Sequence, residues 1–128
     1  MKILQQNVGK GYDITLQLLK LADAQKCDIL AIQEPYSYNN SCFMGEFNFY
    51  SYQNFNLNSK AKPKAAIAVR NNQTDYAPDF LRSNENVMVV GFNHLIIVSM
   101  YFNLKETSGA DRDIEHDLNE LKKIIDFY

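Results

Sequence analysis

The feature that most constrains this chain is a strand–helix–strand unit held within its first 35 residues. Residues 29–33 read Ile-Leu-Ala-Ile-Gln, an apolar run of the kind that is buried on both faces of a sheet. Ahead of it, residues 2–7 predict a short strand, and Gly9 and Gly11 mark a turn. Ile14, Leu18, Leu21 and Ala22 then recur at helical spacing through about Lys26, with Asp13 placed as the N-cap. Two strands joined by one helix predict parallel neighbours in a βαβ-type unit. Pro35, directly after Glu34, closes it, since proline cannot continue a ladder.

Downstream the pattern is rich in strands. Asparagines and aromatics dominate residues 36–58, and residues 47–55 predict a strand bounded by Asn-rich turns. Residues 65–70 predict another. Residues 87–92 and 95–101 predict a hairpin with Asn93 and His94 at its turn. A last helix carries Ser108 and Asp111 in a capping-box pattern, with Ile114, Leu118, Leu121 and Ile125 as its apolar stripe. This order predicts an α/β or α+β layered sheet protein. A helix that should return the chain to a sheet, followed at once by the end of the sequence, implies a single incomplete domain over residues 1–128.

Composition excludes several classes. The chain has 128 residues, the size of one domain, and with 46% hydrophobic and 22% charged residues it is neither disordered nor fibrous. No apolar stretch approaches the roughly 20 residues that span a bilayer, and no signal sequence leads the chain, so no membrane partner is expected. Cys27 and Cys42 have neither metal-ligand nor redox spacing and read as reduced thiols of an intracellular protein. Charge is uneven. Residues 1–70 hold eight Lys and Arg against five Asp and Glu, while residues 71–128 hold five against ten. Lys60, Lys62, Lys64 and Arg70 supply much of the basic excess, which suits either DNA phosphates or a solvated loop.

Asn7 and Glu34 each follow a predicted strand directly. In parallel neighbours both emerge at the same carboxyl edge, where open α/β sheets place their sites. A carboxylate there can hold a hard divalent cation together with waters and substrate phosphate, and an amide beside it can bond a phosphoryl oxygen. Spacing alone equally allows Glu34 to be a turn residue. Tyr36, just beyond, can approach a nucleic-acid backbone or stack on a base.

Three ordered stretches carry more than spacing does. They are Ile3-Leu4-Gln5-Gln6-Asn7, Asp28-Ile29-Leu30-Ala31-Ile32-Gln33-Glu34-Pro35-Tyr36 and Ile97-Val98-Ser99-Met100-Tyr101. Together they resemble the endonuclease/exonuclease/phosphatase family, and within it the endonuclease domains of non-LTR retrotransposons. Residues 64–69 and the last helix fall in the same order, so the likeness covers nearly the whole chain.

The resemblance implies a layered β-sandwich flanked by helices, with a rim site that cleaves phosphodiesters using Mg²⁺ or Mn²⁺. It implies Asn7 as the active-site amide, Glu34 as the metal-ligating carboxylate and Tyr101 as the phenol on the scissile phosphate. DNA as partner, the remainder of a longer retrotransposon polyprotein and a nuclear address follow from the resemblance alone. The family's Gly-Asp-x-Asn and Ser-Asp-His runs are absent from these 128 residues, and His94 and His116 read as surface histidines. The expectation is therefore the N-terminal part of a metal-dependent DNA endonuclease domain, nicking DNA when complete and inactive as this chain alone. The alternative is a non-enzymatic remnant that binds nucleic acid or a partner through the basic loop. A phosphatase acting on RNA or a phospholipid headgroup ranks last.

Overall fold

The structure, a computed structural model, describes residues 1–38, 41–42, 49–53, 63–70, 80–83, 86–92, 95–101, 115, 118–119, 122–123 and 126. Strand β1 (Ile3–Asn7) is followed by helix α1 (Tyr12–Ala24) and strand β2 (Ile29–Gln33). β1 and β2 pair in parallel, as the opening unit predicts. Strands β3 (Ser37–Tyr38) and β4 (Ser41–Cys42) form a two-residue ladder that the Asn-rich composition of this stretch concealed. Strands β5 (Phe49–Gln53) and β6 (Ala65–Arg70) complete a four-stranded sheet in the order β1-β2-β6-β5. Strands β7 (Phe80–Ser83), β8 (Val87–Phe92) and β9 (Leu95–Met100) form a second, antiparallel sheet of three.

The period-2 alternation of β2 and β6 sorts the core into two layers. Leu30, Ile32, Ala66 and Ala68 turn to the helix side and pack with Leu18, Leu19, Ala22 and Cys27. Ile29, Ala65, Ile67 and Val69 turn the other way, onto Met88, Val90 and Phe92 of the second sheet, with Leu95 and Ile97 packed against them. β2 is thus buried along its whole length, which is why it reads as a continuous apolar run.

Helix α1 departs from its sequence reading at three points. Its N-cap is Gly11, in an extended conformation and without a side-chain capping bond, and Asp13 lies in the first turn, where its charge still complements the helix dipole. The buried stripe is Thr15, Leu18, Leu19 and Ala22, so Ile14 and Leu21 are exposed, at 43% and 45%. A threonine can occupy that stripe because its hydroxyl donates to the Gly11 carbonyl at 2.6 Å.

The third departure is at the C-terminus, where the helix stops at Ala24. The Lys26 N–H bonds the Asp23 carbonyl at 3.1 Å and the Cys27 N–H bonds the Ala22 carbonyl at 2.8 Å. With Lys26 at φ 54°, this is a Schellman ending built on lysine rather than glycine.

The hairpin of β8 and β9 keeps the expected register, with Phe92 opposite Leu95 and Val87 opposite Met100. Its turn residues Asn93 and His94 lie outside the described residues. In the last helix, Glu115, Leu118, Asn119, Lys122, Lys123 and Asp126 are helical and exposed. Leu118 is 49% exposed; the other members of the expected stripe, and His116, lie outside the described residues. Among the described residues no helix is long and apolar enough to cross a membrane.

Candidate active site at a shared sheet edge

Pairing places the site. Parallel β1 and β2 set Asn7 opposite Gln33, one residue before Glu34. Antiparallel β2 and β6 set Ala65 opposite Gln33, so Lys64 enters the sheet at the same edge. On the second sheet, Tyr101 follows β9 directly, and its N–H bonds the Asn86 carbonyl at 2.9 Å.

Glu34 has a left-handed backbone, φ 48°, uncommon for a residue with a side chain. Two hydrogen bonds of 2.8 Å pin it there: its N–H donates to the Lys64 carbonyl, and its own carbonyl accepts from the Lys10 N–H. Lys10 is itself left-handed, at φ 61°, and follows Gly9 at φ 57°. Gly9 has open space where a side chain would go, so backbone conformation, not crowding, makes glycine suitable there. Such backbones persist only where neighbours over-determine them, and they concentrate at functional sites.

The Tyr101 phenol lies near enough to the Glu34 carboxylate for hydrogen bonding and charge to act on its proton. Partial burial foremost, then that hydrogen bond and the carboxylate's charge, push the phenol above its usual range, so it is a neutral donor at physiological pH. The Lys64 ammonium lies 5.4 Å from the centroid of the Tyr101 ring, a cation–π distance. Asn7 is exposed at the strand end, and its Oδ1 accepts from the Gly9 N–H at 2.9 Å. One rim therefore gathers a carboxylate, a neutral phenol, an ammonium and an amide.

This set fits a hard cation in one particular way. Glu34 offers oxygen only, and its carboxylate has acceptor capacity beyond the one bond from Tyr101. Mg²⁺ accepts one or two carboxylates, completing its shell with waters and phosphate. Among the described residues no group of three or more His, Cys, Asp or Glu could hold an ion unaided. A lone carboxylate of this kind suits a hard cation that completes its shell with other oxygen ligands.

The structure separates the remaining candidates. Arg70 sits at the opposite end of β6, away from Glu34. Its guanidinium bonds the Cys27 carbonyl at 2.7 Å, Asp23 Oδ1 at 3.2 Å and the Ala22 carbonyl at 3.3 Å, and it lies 4.9 Å from the Phe49 ring. It caps the C-terminus of α1, whose own last turn has no basic residue. Lys60 and Lys62 lie outside the described residues.

Tyr36 stands beside the rim. It meets Tyr12 edge-on at 5.3 Å and helps line a pocket with Lys10, Pro35, Ser37 and Pro63. Lys10 escaped the sequence reading, although its place between Gly9 and Gly11 was a visible signal. Gln33 and Ser99, discussed below, escaped it because nothing local marks them.

Fold and rim together define a mixed α/β sheet protein with acid, amide and phenol at one edge. The chain is similar to the endonuclease domain of TRAS1, a telomere-specific non-LTR retrotransposon, with a TM-score of 0.65 and 25% identity. The match covers 95% of this chain and 51% of that one, so this chain spans about half the length of the solved domain. The likeness bears out the resemblance read from the sequence and supports a nuclease-like origin. No protein-family model and no curated protein matches the chain.

Proposed function

We propose that the chain carries the cation- and phosphate-holding rim of a metal-dependent phosphodiesterase acting on DNA, as the N-terminal part of a retrotransposon endonuclease domain. The observation that carries this reading is the convergence at one edge of Glu34, pinned by backbone bonds to Lys64 and Lys10, of Asn7 at the end of the paired strand, and of Lys64 5.4 Å from the Tyr101 ring. The complete domain would be a layered sandwich that nicks DNA.

Each residue has a distinct task in this reading. Glu34 would hold Mg²⁺ or Mn²⁺ through its carboxylate, where the bound ion would supply Lewis acidity toward a phosphoryl oxygen. Tyr101, kept protonated, redirects its phenolic hydrogen to a non-bridging phosphate oxygen when substrate displaces the Glu34 contact. Asn7 donates through its amide nitrogen, since its oxygen already serves Gly9. Lys64 adds positive charge where the phosphate sits, and Lys10 and Tyr36 meet the flanking nucleotide.

The test is a Mn²⁺ titration by calorimetry with a short DNA duplex present, run beside a plasmid-nicking assay. Binding that is lost in Glu34→Ala and weakened in Lys64→Ala supports the reading, and this chain alone is expected to bind without measurable nicking. Mn²⁺ binding indifferent to Glu34 would overturn it. DNA binding that survives Glu34→Ala and disappears when Lys60, Lys62 and Lys64 become alanine would favour the non-enzymatic reading instead.

A further inference from the structure

We propose that Gln33 and Ser99 are positioning residues, a buried hydrogen-bonded link that sets the spacing of β2 against β9 and with it that of Glu34 against Tyr101. The inference takes the rim described above as the site whose geometry matters. Ser99 is 1% exposed and Gln33 8%, and these are, with Thr15, the buried polar side chains among the described residues.

The link is continuous. The Gln5 amide nitrogen donates to Gln33 Oε1. Gln33 Nε2 donates to Ser99 Oγ at 2.9 Å, and the Ser99 hydroxyl donates to the Ile32 carbonyl at 3.0 Å. Both ends of the Gln33 amide are engaged, and the Ser99 oxygen both accepts and donates.

Its place in the fold gives the link its effect. Along the rest of the interlayer the sheets meet through Ile29, Ile67 and Val69 on one side and Met88, Val90 and Ile97 on the other. Apolar contacts of this kind are non-directional and tolerate small slides. Hydrogen bonds fall off steeply with distance and angle, and a buried donor that loses its partner is costly. A slide of β9 along β2 would therefore strand three polar groups at once. Gln33 immediately precedes Glu34, and Ser99 stands two residues before Tyr101 on the same face of its strand. Whatever fixes the first pair fixes the second.

The test measures the Glu34–Tyr101 contact without any metal, so it fails or succeeds independently of the phosphodiesterase reading. A double-mutant cycle of Glu34→Ala and Tyr101→Phe, followed by urea unfolding of the full chain, is run in three backgrounds: unaltered, Ser99→Thr and Ser99→Val. Thr and Val match in shape and differ in the hydroxyl. The expected nonadditivity is about three- to tenfold in the unfolding constant for the unaltered and Thr backgrounds, falling to within about twofold of additivity with Val.

Equal coupling in the Thr and Val backgrounds would make the link merely structural and overturn the proposal. So would an unaltered chain showing no coupling. If Ser99→Val does not fold, Ser99→Ala removes the same hydroxyl without added bulk and is read in the same way.

Discussion

Tyr101 and Glu34 act on each other although they belong to different sheets, the phenol following β9 and the carboxylate following β2. Neither strand pairs with the other, so the contact measures how the two sheets are stacked. That makes it a sensitive point for experiment.

Alkaline titration should report it. The folded state holds the Tyr101 proton above the ordinary phenol value of 10.0, so folding favours the protonated form. The resulting stability is fully present below the unfolded value and is lost as pH rises through the folded one. Urea unfolding at about pH 8 and about pH 11 should show a steeper alkaline loss for the unaltered chain than for Tyr101→Phe. Parallel losses would mean that the phenol is not held protonated.

Replacing Glu34 by glutamine should lower the Tyr101 titration toward, but not to, its ordinary value. The charge is removed while burial, the first cause, stays. Nuclear magnetic resonance of ring-labelled tyrosine, assigned with Tyr101→Phe, measures the shift directly. A Tyr101 midpoint unchanged by Glu34→Gln would disprove the carboxylate's part.

Arg70→Ala should destabilise the chain by about 2 kcal/mol, because it removes a cation bonded to two carbonyls at the end of α1. Asp23→Ala should cost about 0.5 kcal/mol or less, since the Asp23 side chain is 47% exposed and the ion pair is screened. Arg70→Lys should recover only part of the loss, as lysine lacks the planar fork. DNA affinity should be unaffected by Arg70→Ala at temperatures where the variant is folded, and a clear loss of affinity there would return Arg70 to the binding surface.

Lys26→Gly should stabilise the chain by about 0.5–1 kcal/mol. The residue is exposed and left-handed at the helix end, where glycine carries no side-chain penalty. Its urea midpoint should rise, and a fall would show that the lysine side chain contributes something the backbone account omits.

The sequence made the opening unit legible because burial on both faces leaves an unmistakable apolar run at residues 29–33, and parallel pairing then delivers Asn7 and Glu34 to one edge. β6 and β8 were legible for the same reason, and β9, only half-buried, through its β-branched run beside the turn residues. β7 was not, because Phe80–Ser83 is a short run flanked by asparagine and acidic residues. The helix face was misjudged since periodicity alone cannot rank Ile14 above Thr15 when a backbone carbonyl satisfies the hydroxyl. The capping contacts of Arg70 were not legible because its partners lie far back in the sequence, and charge clustering is blind to tertiary capping. Tyr101 needed the family resemblance, as no local pattern separates it from any aromatic at a strand end.

The link between Gln33 and Ser99 spans 66 positions of chain. A growing polypeptide emerging from the ribosome therefore cannot close this link until its later hairpin has been synthesised and has docked.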